Sequence, residues 1–186
     1  MENKIFDYLY KYLNSERYEH TIQVYNFAVK LGNYYNENVY NIQIASLLHD
    51  CAKCMTLEES KNYIFLNKVK IKYYSFLLKF APQVLHAYIS EDIAKRKFNI
   101  KNKEVLNAIK YHTVGRVNMG NVEKIIFIAD ALSPDRKFKI NTPDNIIYKD
   151  LHQTFKFVLQ NKIQYVVSNF KILDPDVINI WNYYNK

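Results

Sequence analysis

Residues 45–53, ASLLHDCAK, close an apolar run with a histidine and an aspartate side by side. Apolar residues recur at helical spacing before this pair, so the pattern predicts a buried helix from about Val39 to Ala52. A buried imidazole needs a hydrogen-bond partner, and a buried unpaired carboxylate costs several kcal/mol. The stretch therefore predicts a helix that carries a polar site into the core of the fold.

The residues that break secondary structure are scarce in this chain. Only 3 Gly and 4 Pro occur among its 186 residues. These are too few turn-forming residues for a sandwich or a barrel, and too few breakers to interrupt long helices. The composition therefore predicts an all-α fold. The length, without a linker-like stretch, favours a single domain over residues 1–186.

Helical periodicity extends to the segments on both sides of the opening stretch. Ser15 precedes a periodic run that Gly32 is expected to end, Thr56 is a predicted N-cap, and Pro82 begins a third run. Further helices are predicted at residues 102–113, 121–132, 144–168 and 174–184. The chain is thus expected to form a bundle of about seven to eight or more helices, in which the helices of residues 144–184 belong to the same domain as the motifs.

The charge balance is basic, because 26 Lys and Arg residues stand against 18 Asp and Glu, giving a net charge of +8. Such a balance favours polyanionic partners such as nucleotides, nucleic acid or an anionic membrane surface. The heavy use of Asn, Lys, Ile and Tyr offers an equally good explanation, namely an AT-rich genome that loads Lys onto surfaces. Charge alone therefore does not select a partner.

No segment has the features of a targeting or membrane-spanning sequence. The first ten residues lack a basic leader before a long apolar core, and the longest apolar run, KIIFIADAL, is far shorter than the ~20 residues that span a bilayer. The expectation is a soluble, cytoplasmic protein. Cys51 and Cys54 form a lone C-x-x-C in the predicted helix, and without a second pair they are expected to be small buried residues.

Four of the five histidines lie on the apolar side of their predicted helices. They are His20, His49, His86 and His112, and Asp130 lies inward in the same way. A single inward histidine is more often a core residue that donates to a backbone carbonyl. Several on separate helices, joined by two aspartates, favour a metal site, because imidazole and carboxylate groups are ligands of Fe, Mn, Zn or Ni. Asp50 has two oxygens and can bridge two ions, whereas His49 can hold only one.

In their order along the chain, these residues resemble the pattern of the HD-domain metal-dependent phosphohydrolases: a first His, a His-Asp doublet, two further His and a distal Asp. A closer likeness, to the YqeK-type branch that hydrolyses diadenosine tetraphosphate symmetrically to two ADP, lies in five segments. These are RYEHT (17–21), LLHDCAK (47–53), LHAY (85–88), AIKYHTVGR (108–116) and IIFIADALSPDR (125–136). The resemblance covers most of residues 15–140.

The resemblance implies an all-α fold with two divalent or mixed-valence metal ions, iron first and Mn, Zn, Ni, Co or Mg as alternatives. By this likeness one ion takes His20, His49, Asp50 and Asp130, and the second takes His86, His112 and the bridging Asp50. A hydroxide that bridges the two ions would attack the phosphoanhydride. The implied partner is a small-molecule nucleotide, with neither a membrane nor a nucleic acid as partner. A homodimer is compatible with this interpretation.

Four residues near the predicted ligands are candidates for substrate contact. Lys53 and Arg136, three and six residues after a predicted ligand, are expected to neutralise substrate phosphates, and with Asp50 they are the catalytic candidates. Arg17 is expected to bind a ligand carboxylate or a phosphate, and a surface ion pair explains it equally well. Thr113 is expected to orient a ligand or to cap a helix.

Two positions depart from the usual pattern of the family, and two other functions remain open. Val114 stands where a second Thr is usual, and Ser133 where Glu is common, but neither is a predicted ligand. One alternative is another HD phosphohydrolase, acting as a nucleotidase, a guanosine alarmone hydrolase or a cyclic dinucleotide phosphodiesterase. The other is a basic nucleic-acid-binding or regulatory module whose histidines are structural.

Overall fold

A computed structural model describes residues 1–136, 140 and 144–186 of the chain. These residues contain helices and no strand, which confirms the all-α prediction. The helices are α1 (Glu2–Tyr12), α2 (Ser15–Tyr34), α3 (Val39–Leu48), α4 (Leu57–Asn67), α5 (Tyr74–Phe80), α6 (Leu85–Phe98), α7 (Lys103–Tyr111), α8 (Asn121–Ala131), α9 (Asp144–Ile147), α10 (Leu151–Ser168) and α11 (Val177–Tyr184), with a short 3-10 helix at Pro82–Val84.

The middle of the bundle is formed by α2, α3, α7 and α8, which pack against one another. Helix α6 packs against α7 and α3, and α10 packs against α8. The facing side chains are fully buried, among them Val24, Ile42, Ile109 and Phe127. Burying each such side chain contributes about 1.5–3 kcal/mol, so these contacts fix the relative positions of the helices that carry the inward polar residues.

Helix α3 is shorter than the sequence predicts. It ends at Leu48, and residues 49–54 form turns in which Cys51 N bonds to Leu48 O and Lys53 N bonds to Asp50 O. These bonds join residues three apart, so the chain leaves the α-helical ladder at His49. The prediction of a helix to Ala52 was therefore wrong in its last four residues. The prediction that the two cysteines are both buried was wrong as well, because Cys54 is exposed.

Gly32 does not end α2, which continues to Tyr34. A Cβ atom at this position would overlap Cδ1 of Ile42, so the glycine allows α2 and α3 to approach closely. At residues 144–168 the single predicted helix is two, α9 and α10. The side chain of Asp150 accepts hydrogen bonds from His152 N and Gln153 N and so caps α10. Helices α1 and α5 were not predicted.

The predicted N-cap at Thr56 is confirmed. Its side chain accepts a bond from Glu59 N, and the Glu59 carboxylate accepts one from Thr56 N, which together form a capping box. Pro82 opens the 3-10 helix that leads directly into α6. Within the described part of the chain, no helix combines the length and the apolar character needed to cross a bilayer.

Candidate metal centre

Four imidazoles and two carboxylates meet in the interior of the bundle. They are His20 from α2, His49 and Asp50 from the turn after α3, His86 from α6, His112 at the end of α7, and Asp130 from α8. Each of these residues is at most 5 % exposed. Residues that are far apart in the sequence thus form one buried polar cluster.

One half of the cluster surrounds a single oxygen of Asp50. Oδ2 of Asp50 lies 3.8 Å from Nε2 of His20 and 3.7 Å from Nε2 of His49. Oδ1 of Asp130 lies 3.2 Å and 3.7 Å from the same two nitrogens. The ligand atoms of these four residues are within 4.8 Å of one another. This spacing suits four ligands around one ion.

The other half of the cluster faces the second oxygen of the same carboxylate. Oδ1 of Asp50 lies 2.8 Å from Nε2 of His86 and 3.3 Å from Nε2 of His112. The two imidazole nitrogens are 3.1 Å apart. Asp50 therefore stands between two sets of imidazoles, as a bridging ligand would.

Three of the imidazoles are oriented by the last turn of their own helical segment. In each, Nδ1 lies close to the carbonyl oxygen three residues earlier: 2.6 Å for His49 and Ser46, 2.5 Å for His86 and Gln83, and 2.7 Å for His112 and Ile109. A carbonyl oxygen only accepts, so Nδ1 carries the proton in each ring. Nε2 is left with its lone pair directed into the cluster.

Because the proton of each of these rings is on Nδ1, hydrogen-bond acceptors face other acceptors inside the cluster. The Nε2 lone pairs meet carboxylate oxygens, and both Nε2 of His49 and Oδ1 of Asp50 are buried without a hydrogen-bond partner in the described residues. Such an arrangement is unfavourable unless a cation lies between the atoms. The nitrogen and oxygen donors fit ions such as Fe, Mn, Zn or Ni, so the residues present fit the metal pair that the resemblance implies.

The protonation states of His86, His112 and Asp50 also suit a metal centre. Burial lowers the pKa of His112 to about 4 and lowers the pKa of His86 as well, which keeps both rings neutral near pH 7. Burial alone would raise the pKa of the Asp50 carboxyl, but the neighbouring His49 and His86 hold it well below its usual range. Neutral imidazoles and ionised carboxylates are the forms that bind metal.

Two arginines pair with the buried carboxylates. Nη1 of Arg17 donates to Oδ2 of Asp50 at 3.0 Å, so it contacts a predicted ligand rather than forming a surface ion pair. Arg136 donates through Nε to the main-chain oxygen of Asp130 at 2.9 Å, and its Nη2 forms an ion pair with the Asp130 carboxylate. The structure thus gives Arg136 a ligand partner, and its contact with substrate stays a prediction.

Lys53 and Thr113, the other two substrate candidates, lie beside the His86 and His112 half of the cluster. Nζ of Lys53 is 3.3 Å from Nδ1 of His86, and burial lowers the pKa of this ammonium. Oγ1 of Thr113 is buried and has no hydrogen-bond partner in the described residues. Both side chains therefore reach the neighbourhood of the centre.

Two further residues of the site were missed by the sequence reasoning. Asp135 places its carboxylate oxygens 2.8 Å and 2.9 Å from Nδ1 of His20, and Ser133 donates a hydrogen bond to it. Lys162, on α10, lies with Nζ 3.3 Å from the carbonyl oxygen of His112 and 4.1 Å from the centroid of the Phe127 ring. Burial lowers the pKa of Lys162 to about 8. Its sequence signal is a lysine on the apolar face of a helix.

The chain is similar to known proteins along most of its length. The model of the HD domain matches residues 17–135. The symmetrical bis(5'-nucleosyl)-tetraphosphatase of Bacillus subtilis (strain 168) is 29 % identical over 172 residues, which cover 92 % of this chain and 90 % of that protein. The enzyme of the same name from Staphylococcus aureus (strain NCTC 8325 / PS 47) is 32 % identical over 182 residues, with 92 % and 89 % covered.

A solved structure is similar over the full length. The crystal structure of a predicted HD superfamily hydrolase involved in NAD metabolism, from Clostridium acetobutylicum, superimposes with a TM-score of 0.87 at 32 % sequence identity. The alignment covers 100 % of this chain and 97 % of that one. The similarity therefore includes the C-terminal helices as well as the segments that carry the histidines.

Proposed function

Because the chain belongs to the HD-domain family, we propose that it is a metal-dependent phosphohydrolase that cleaves diadenosine tetraphosphate symmetrically to two ADP. One observation carries the proposal: the two oxygens of Asp50 face two different sets of imidazoles, which is the arrangement a two-metal hydrolase needs. Curated relatives whose names state symmetrical tetraphosphatase activity align with 92 % of the chain, which supports the substrate.

The two donor sets support a proposed assignment of the ligands of the two ions. His20, His49, Asp50 and Asp130 would hold one ion, and His86, His112 and Asp50 would hold the second. When bound, such ions supply positive charge that neutralises phosphate oxygens, and they activate a water for attack. Iron is the ion we propose first, with Mn, Zn, Ni, Co and Mg as alternatives, because these donors suit several metals.

The charges around the centre match a polyphosphate. Four cationic side chains, Arg17, Lys53, Arg136 and Lys162, stand against the three carboxylates Asp50, Asp130 and Asp135. Two divalent ions would add to this positive excess, so the site favours a substrate with several negative charges. A tetraphosphate chain offers them, whereas a phosphate monoester offers fewer.

Lys53 and Lys162, the two cationic side chains that do not pair with a carboxylate in the described residues, would position the substrate. Their ammonium groups would bind phosphate oxygens and neutralise the charge that develops on the departing ADP. Arg17 and Arg136 would instead hold Asp50 and Asp130 in the orientation that metal binding requires.

A product assay tests the proposal. The metal-loaded protein is incubated with diadenosine tetraphosphate, and the products are separated by ion-exchange chromatography. ADP as the sole product is the expected result, and AMP with ATP would contradict symmetrical cleavage. A panel with nucleoside monophosphates, a guanosine alarmone and a cyclic dinucleotide extends the test. Faster turnover of one of these would assign the site to another HD phosphohydrolase. Absence of turnover, with salt-sensitive RNA or DNA binding, would support the regulatory module.

Three features stay predictions of the sequence. They are the single domain over residues 1–186, the cytoplasmic location and the capacity to form a homodimer. Alignment of the relatives along 92 % of the chain supports the first. Light scattering on the purified protein would measure the third.

A further inference from the structure

The turn that carries Asp50 is joined to helix α6 by a hydrogen bond from its main chain. The N–H of Ala52 donates to Oγ of Ser90 at 3.2 Å. Ser90 belongs to α6 and is fully buried, and Ala52 is 2 % exposed. Ser90 lies about one helical turn after His86, a predicted ligand of the second ion. The bond therefore links the segment of one predicted ligand to the helix of another.

The N–H of Ala52 depends on this serine, because the bonds within the turn do not include it. The N–H groups of Cys51 and Lys53, on either side of it, donate to carbonyl oxygens three residues earlier. Among the described residues, the acceptor for Ala52 N is Oγ of Ser90. A buried N–H without an acceptor costs free energy. Removing the serine hydroxyl would therefore leave this N–H unpaired or make the turn move.

The packing of the helices gives this bond its importance. Helix α6 packs much more extensively against α7 than against α3, the helix that leads into the turn. The packing of α6 on α7 fixes His86 relative to His112, whereas the position of Asp50 relative to His86 depends on contacts of the turn itself. Nε2 of His86 lies 2.8 Å from Oδ1 of Asp50. The distance between α6 and the turn therefore decides how well these two atoms can share one ion.

The other half of the cluster is positioned by contacts that do not involve α6. Nη1 of Arg17, on α2, donates to Oδ2 of Asp50 at 3.0 Å, and Nδ1 of His49 is held by a carbonyl oxygen of its own segment. The remaining predicted ligands of this half come from α2 and α8, which pack against each other. Loss of the Ser90 bond should therefore disturb the ligands of one ion and leave those of the other in place.

We propose that Ser90 is a positioning residue that sets the distance between Asp50 and His86, and thereby the affinity for the second ion. The inference rests on the proposed function, because it concerns the ions of that centre. Ser90 belongs to neither of the two ligand groups and acts through the main chain of the turn. The two ions then differ in how strongly their binding depends on the contact between α6 and the turn.

Metal titration of each half of the cluster tests this proposal. His20→Ala with His49→Ala removes two ligands of the first ion, and His112→Ala removes one ligand of the second, so each background favours one half. Ser90→Ala is added to both backgrounds, and the affinity for Zn²⁺ is measured by competition against a coloured chelator. It should lower the affinity about 10-fold where the second ion is retained, the effect expected for a residue that orients a ligand. In the His112→Ala background the affinity should stay within about twofold.

Amide hydrogen exchange of the metal-free protein gives a second measurement that does not depend on metal loading. Ser90→Ala should speed exchange of the Ala52 N–H roughly five- to tenfold, because its acceptor is lost. Thr154→Val is the matched control, since it removes another buried hydroxyl, one that donates to the carbonyl oxygens of Ile146 and Asp150. It should change neither the zinc affinity nor the exchange of Ala52.

The results separate the positioning role from the proposed function. Equal loss of zinc affinity in both backgrounds, or no loss in either, would overturn the role of Ser90. If affinity falls only for the half that contains His86 and the parent protein fails to cleave diadenosine tetraphosphate, the positioning role stands and the proposed function falls. Cleavage by the parent protein, with zinc affinities that Ser90→Ala leaves unchanged, would have the opposite meaning.

Discussion

Nδ1 of His20 lies 2.8 Å from a carboxylate oxygen of Asp135. The other three buried imidazoles are held instead by main-chain carbonyl oxygens of their own segments. A carboxylate behind a histidine fixes its tautomer and raises the basicity of the nitrogen that faces the metal. Asp135 lies two residues after Ser133, one of the two positions at which the chain departs from the family pattern, and the Ser133 hydroxyl donates to its carboxylate. The His20 half of the centre therefore depends on a side chain that substitution can remove.

We expect Asp135→Ala to lower the affinity for metal by about 10- to 100-fold, because His20 loses the group that orients it. Competition against a coloured chelator measures the affinity directly, without an activity assay. Asp7→Ala removes the same charge from an exposed position on α1 and serves as the control. Identical affinities for the two variants would contradict a role of Asp135 in positioning His20.

Asp50→Ala should abolish turnover and lower metal content in both halves of the cluster, since its two oxygens face both sets of imidazoles. Atomic emission spectroscopy on the purified variant gives the number of ions per chain. His86→Ala is expected to lower the content of one ion while the second is retained. Retention of both ions by Asp50→Ala would exclude the bridging role.

Unlike Asp50→Ala, the Lys53→Ala variant is expected to keep its metal and to bind substrate more weakly. The ammonium approaches His86 but belongs to neither of the two ligand groups, so metal content should match that of the parent protein. Substrate binding should weaken, seen as a raised KM for diadenosine tetraphosphate, because a phosphate contact is lost. Loss of metal from this variant would show that Lys53 supports the ligands and does not contact substrate.

Lys162→Met is expected to stabilise the metal-free protein at pH 7. Burial lowers the pKa of this ammonium from 10.5 to about 8, so below pH 8 the folded state carries a charge in an unfavourable environment. The gain should be roughly 1–3 kcal/mol, since one pKa unit corresponds to about 1.4 kcal/mol. Between pH 8 and 10.5 the unfolded state binds more protons than the folded state, so wild-type stability rises with pH and the gain shrinks.

Urea unfolding at pH 7 and at pH 9.5 tests this sign. Lys156→Met changes the same charge six residues earlier on α10 and controls for net charge. A stability difference for Lys162→Met that is the same at both pH values would be inconsistent with a buried, titrating ammonium.

Gly115→Ala should destabilise the fold by about 1 kcal/mol. Gly115 has φ of +84°, and a Cβ there would meet its nearest neighbour, Sδ of Met119, at 3.5 Å, so the cost lies in the backbone and not in a clash. Gly115→Asn should lose less, because asparagine adopts positive φ more readily. Thermal unfolding of both variants gives the comparison, and equal losses would indicate a steric cause.

The residues proposed as ligands could be recognised because their signal is local. The four histidines and Asp130 are polar residues at positions that helical periodicity predicts to face inward, as with His20 on α2 and Asp130 on α8, and the structure brings them together with Asp50. The all-α class followed from a shortage of turn residues, a property of the whole chain that needs no tertiary information. The resemblance to the HD family is confirmed by the match over residues 17–135.

The end of α3 could not be read in this way. Cys51 and Ala52 are buried like the helix before them, so the apolar run continues past Leu48, where the helix ends. Asp135 was missed for a different reason. Its partner His20 lies 115 positions away, and an acid in a polar loop carries no sign of such a contact. Long-range pairing of this kind is decided by packing and not by local pattern.

The main-chain anchors of His49, His86 and His112 have a consequence for how this chain tolerates change. The acceptors belong to Ser46, Gln83 and Ile109, and every amino acid offers the same carbonyl oxygen. Replacing any of these three side chains leaves the tautomer of the neighbouring imidazole intact, so mutational drift there is neutral for ring orientation. The path of the backbone fixes the orientation of three of the four rings. Only His20, whose partner is the side chain of Asp135, can lose its hydrogen-bond partner through a single substitution.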